Sequence, residues 1–142
     1  MGTLGAIALS IRPSALVTWQ AGLYYKAATG ALLGIFIAFQ WTLALSRVKG
    51  QTRLAKRLYN WHQLAGAAAP LLFFAHSVSL GAGYLLMLSF VYMVNNAIGL
   101  LNPTAFPRLR NHLATWTICH IALSVLLAAL AIHHGWTALY YE

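Results

Sequence analysis

Four apolar runs of about 20 residues each, the length a helix needs to cross the hydrocarbon of a bilayer, leave this chain few folds to choose from. They lie at 27–46, 58–80, 82–101 and 113–133. Turn and breaker residues bound each one: Arg47 to Gly50 follow the first, Gly81 and Gly83 separate the second from the third, and Asn102-Pro103 with Pro107 follow the third. With 61% hydrophobic and 7% charged residues, nothing remains from which to build a separate water-soluble domain. The expected fold is all-α, an integral membrane four-helix up-and-down bundle. Residues 1–26 are expected to form an interfacial N-terminal segment, with Trp19, Tyr24 and Tyr25 at headgroup level. The apolar stretch from Leu4 to Ile11 has no basic residue ahead of it, so a cleaved secretory signal is not expected. Pro70 falls inside the second run and is expected to kink it near Gly66.

The formal charge of +8 comes from nine Lys and Arg against one acidic residue, Glu142. Arg47, Lys49, Arg53, Lys56 and Arg57 lie between the first two runs, and Arg108 and Arg110 between the last two; only Arg12 and Lys26 fall on the other side. Such a bias marks cytoplasmic loops and not a nucleic-acid surface. Both termini are therefore expected on the outer, periplasmic side of what is expected to be a bacterial inner membrane. Cys119 is the only cysteine, which excludes an internal disulfide.

Ionisable groups inside a membrane are costly, and here they are selective. The interiors of the runs hold no Asp, Glu, Lys or Arg, yet His62, His76, His120, His133 and His134 lie on the second and fourth. Without intramembrane carboxylates, a proton pump or cation transporter lacks its usual relay. Neutral imidazole is instead a good ligand for haem iron. His62 and His76 are 14 residues apart, which at about 100° per residue puts them within about 40° of one face and about 21 Å apart along the axis. His120 and His134 repeat that spacing, whereas His133 falls about 140° off in an ideal helix. With the second and fourth helices parallel, His62 meets His120 near the cytoplasmic surface, and His76 meets His133 or His134 near the outer one. Two stacked bis-histidine haem b sites are expected, with a single haem as the alternative. Ala65, Gly66, Ala68, Ala69, Ala114 and Ala122 are small neighbours that suit them, although Gly and Ala are common at any membrane helix interface. Arg53, Lys56, Arg57, Arg108, Arg110 and His112 could meet haem propionates, but topology already explains the cations. Gln40, Asn95 and Asn96 are polar groups for which interhelical hydrogen bonding is the expected role, ahead of tuning a haem or lining a quinone site.

Between Arg53 and Trp136 this pattern resembles the haem-binding transmembrane core of ferric reductases, NADPH oxidases and the haem-binding membrane subunit of the periplasmic methionine sulfoxide reductase system. In that family two parallel helices, separated by one other, each carry two histidines 13 or 14 residues apart. His62 and His76, and His120 with His133 or His134, are similar in placement. Because the family also uses the shorter spacing, the resemblance keeps His133 open where ideal geometry prefers His134. It implies a cytochrome b subunit that carries electrons across the bilayer, between quinol or a cytoplasmic donor and an outer acceptor. Members commonly have six spans, and the oxidases add a flavin and nicotinamide domain that has no counterpart in these 142 residues. Any oxidoreductase activity is then shared with a redox partner protein or larger membrane complex. Quinol-oxidising cytochrome b of the bc complexes is a weaker parallel, since its long connection before the last haem helix is missing. Two other classes stay open: a haem-free structural accessory subunit whose histidines link helices, and a metal carrier using His133 and His134, which no Met or Cys cluster supports.

Overall fold

The computed structural model describes the backbone of residues 14–77, 79–102 and 106–141. Among them it is all-α. A short helix, α1 (Ser14–Ala21), precedes four long ones: α2 (Leu23–Val48), α3 (Thr52–His76), α4 (Tyr84–Leu100) and α5 (Leu113–Tyr141), with a 3-10 turn at Pro107–His112 before the last. The Leu4–Ile11 stretch, Arg12 and Pro13 lie outside the described residues.

Element boundaries depart from the expected spans at both ends. The helix over the second run starts at Thr52, because the basic stretch through Arg57 continues the helix into the turn. It stops at His76, not Leu80: Ser77 turns extended with φ −95° and ψ 126°. The connection to α4 then needs two glycines, Gly81 at φ 77° and Gly83 at φ 59°, a positive-φ backbone that residues with a side chain rarely adopt. α2 takes in Leu23 to Lys26 from the segment expected to be interfacial. α5 passes through Gly135 and runs eight residues beyond the expected end at His133. α3 continues through Pro70.

The four long helices pack in chain order, α2 on α3, α3 on α4 and α4 on α5, while α2 and α5 touch only lightly. Where those two part, an apolar groove of about 450 Å³ opens between Gly34, Ile37, Ala38 and Trp41 on one side and Ala128, Ala131 and Ile132 on the other. No close backbone approach joins α3 to α5 among the described residues; they stand on the diagonal of the bundle. The centre is small: Ala69, Val91, Tyr92 and Leu127 are buried, with Phe36, Phe73 and Leu123 packed against them. Tyr92 stacks on Phe73 at 5.2 Å between ring centroids, and its hydroxyl donates to the Ala69 carbonyl at 2.8 Å.

α1 is tied to the end of α3 by the side chain of Gln20. A helix leaves its last four carbonyls without intrahelical partners. At the end of α3 the Ser77 N–H takes that of Phe73, and the fully buried Gln20 donates its amide to those of Phe74, at 2.7 Å, and Ala75, at 2.9 Å. The end of α3 that carries His76 is thereby held by α1.

α2 and α5 are both long and apolar enough to cross a membrane. α4 is a shorter apolar helix of 17 residues, about 25 Å long.

Candidate functional site

The diagonal between α3 and α5 is bridged by histidine. His62 and His120 place their ring centroids 6.2 Å apart with planes crossing at 85°. His76 and His134 repeat the separation, 6.2 Å, with planes at 68°. Like ends of α3 and α5 therefore meet, so the two helices run parallel, and the pairs lie one near the basic turn between α2 and α3, the other at the distal end. His134 and not His133 faces His76. The ring of His133 instead meets Tyr84 at 5.1 Å, on an exposed face of α5. Fourteen residues of helix return a side chain to the same face; thirteen do not.

Each pair is shaped by a glycine on a neighbouring helix. A Cβ built on Gly30 of α2 would lie 3.1 Å from His76 Cε1. One on Gly99 of α4 would lie 3.2 Å from His120 Cε1. Both contacts are tighter than carbon atoms normally tolerate, so the rings occupy cradles that a side chain would fill. These two glycines come from the adjacent helices. Gly66, expected as a small neighbour on the histidine helix itself, faces the Gln40 amide instead.

Polar groups near the basic-end pair are left over. Nδ1 of His62 and Nδ1 of His120 are buried with no protein hydrogen-bond partner, as are Gln40 Oε1 and Asn96 Nδ2. Such atoms cost about 1–3 kcal/mol each when nothing satisfies them. Asn95 does play the expected interhelical role: its amide donates to Ser124 Oγ at 3.1 Å, linking α4 to α5, and Ser124 caps back onto the His120 carbonyl at 2.7 Å.

Two aromatic residues frame the rings. Trp116 lies parallel to His120, 5.4 Å between centroids and 15° between planes, and its indole N–H donates to the Ile98 carbonyl at 2.8 Å. At the distal end Tyr84 lies 6.3 Å from His134, its hydroxyl 2.9 Å from that of Thr137. Trp116 lies four residues before His120 on the same helix, so this contact follows from the helical period. Gly30 and Gly99 had only a faint signal, as isolated glycines within apolar helices. Lys56, Arg57, Arg108 and His112 are exposed, which suits solvated cations at the end of the bundle.

Among the described residues no three His, Cys, Asp or Glu side chains gather as a metal cage. The imidazoles come in twos. Two nitrogens do not complete a closed structural metal site, but two imidazoles on opposite sides of one metal, at bonds of about 2 Å, place their centroids roughly 6 Å apart. The donor set and the glycine cradles fit a metal whose remaining ligands come with a flat macrocycle.

Comparisons with protein-family models, with curated proteins and with solved structures give no match.

Proposed function

We propose that this chain is a membrane cytochrome b subunit that carries electrons across a bilayer through two bis-histidine haems b, on behalf of a partner oxidoreductase. The observation that carries the reading is the repetition of one arrangement: two histidine pairs on parallel diagonal helices, with ring centroids 6.2 Å apart at both levels.

His62 with His120 would hold one haem, and His76 with His134 the other. When bound, haem would supply a one-electron iron couple suited to relaying electrons. The chain's own part is to orient and insulate. Trp116 and Gly99 set the plane and depth of the His120 ring, Gly30 sets those of His76, and the Phe73–Tyr92 stack with Ala69 and Leu127 excludes water from the layer between the two levels. His133, turned away toward Tyr84, stands outside the ligand set.

The membrane setting belongs to the same proposal. Exposed apolar side chains such as Leu32, Ile35, Leu71, Phe90, Ile121 and Ile132 occur on all four long helices. Against so small a buried centre they suit lipid as the surrounding solvent. α3 becomes apolar from Leu58 onward, past its basic first turns, and α4 is short by only a few ångströms. The basic turn would then lie on the cytoplasmic side and both termini outside.

The test is a dithionite-reduced minus oxidised visible spectrum of protein purified from its native membrane, with haem counted per chain by pyridine haemochrome. Two low-spin haems b per chain are expected. His62→Ala and His120→Ala should each remove one, His76→Ala and His134→Ala the other, and His133→Ala neither. Colourless protein would defeat the proposal and favour a structural subunit of a larger complex.

A further inference from the structure

The imidazole of His76 is held differently from those of His62 and His120. Its Nδ1 lies 3.1 Å from the hydroxyl of Thr29 on α2. That hydroxyl also lies 2.7 Å from the Tyr25 carbonyl oxygen, one turn back along the same helix. A hydroxyl has a single hydrogen, and a carbonyl can only accept. The shorter bond takes the hydrogen, a common back-bond for threonine in a helix. The oxygen of Thr29 is then left to accept from His76, whose Nδ1 carries the proton and whose lone pair sits on Nε2. Gly30, the next residue, makes the approach feasible: a Cβ there would lie 3.1 Å from Cε1, between the two ring nitrogens. One turn of α2 thus supplies both the space for the ring and the acceptor that orients it.

We propose that Thr29 is a positioning residue for His76: by accepting from Nδ1–H it selects the tautomer whose Nε2 binds iron and lowers the reduction potential of the haem held there. The inference rests on the haem reading above. A hydrogen bond donated by the far nitrogen of a ligating imidazole raises the basicity of the ring. A more basic ligand favours oxidised iron, so second-shell hydrogen bonding is one of the protein's means of setting haem potentials.

The experiment compares wild type with Thr29→Val, which keeps the shape and removes the acceptor, and Thr29→Ser, which restores it. Optical redox titration of the purified protein should show one midpoint potential moved upward in Thr29→Val, the other unchanged, and both at wild-type values in Thr29→Ser. Loss of one haem in Thr29→Val that returns in Thr29→Ser would also support the role. Two haems at unchanged potentials in Thr29→Val, or an equal loss in both variants, would overturn it. Nitrogen-15 spectra of histidine-labelled protein prepared without haem provide a second readout. His76 should be protonated at Nδ1 in wild type and lose that preference in Thr29→Val; an unchanged tautomer would overturn the inference. Wild-type protein without haem from its native membrane would defeat the parent proposal, and the nitrogen spectra would still decide whether Thr29 orients the ring.

Discussion

Replacing Gly99 by alanine sets two effects of opposite sign against each other, and the structure says which one each assay will see. The new methyl would lie 3.2 Å from His120 Cε1 and 3.8 Å from Nδ1. Carbon atoms in contact prefer about 3.5–4.0 Å, so the ring must retreat by about 0.3 Å or more. It has little freedom to do so, because Trp116 lies flat against it and is itself pinned by its bond to Ile98, the residue before Gly99. Metal–ligand distances hold within about 0.2 Å. The displaced ring should weaken the basic-end haem by about 10–100-fold, the usual effect of disturbing a ligand's supporting shell, or about 1.4–2.7 kcal/mol. Against this, alanine favours the helix by up to about 1 kcal/mol over glycine. Gly99→Ala should therefore lose most of one haem and keep the other, while the haem-free protein melts at the same temperature or higher. Pyridine haemochrome per chain and thermal melting in detergent separate the two effects. Full occupancy with a wild-type spectrum would refute the idea that this close approach sets the position of His120.

Two further substitutions test the frame around the pairs. Gln20→Leu removes both donors that close the end of α3 onto α1; it should cost about 1–3 kcal/mol and speed hydrogen exchange selectively at residues 73–76, and uniform exchange along α3 would contradict the clamp. Tyr92→Phe deletes the buried bond to Ala69 while the Phe73 stack remains; a loss of about 1 kcal/mol in thermal stability, with haem content unchanged, is expected, and a large loss of either haem would mean that Tyr92 shapes a site directly.

Much of this arrangement was legible before any coordinates. Composition and run length pointed to helices, because 20 consecutive apolar residues have few other stable conformations. The spacing of 14 between His62 and His76, and between His120 and His134, pointed to paired faces, since helical period is a local property of the backbone. The same period favoured His134 and the resemblance kept His133, so the sequence left the two open; the packing turns His134 toward His76. Helix ends were less legible. α3 stops at His76 and not at Leu80 because the two positive-φ glycines and the Gln20 clamp act there, and neither Ser77 nor Leu80 breaks the hydropathy pattern.

The contacts that finish each site lay beyond the sequence. Thr29 meets His76 across 47 positions, and Gly99 faces His120 from the preceding helix. Trp116, four residues before His120 on the same helix, is the exception, a neighbour that the helical period itself supplies. Asn95 found a partner in Ser124, while Asn96 and Gln40, equally polar and equally placed in apolar helices, each left a buried atom unsatisfied. Local periodicity dictates which side of its own helix a residue occupies. It carries no information about the rotation and depth of the neighbouring helix, and only the packing of α2 against α3 and α4 against α5 decides which glycine or hydroxyl reaches each ring.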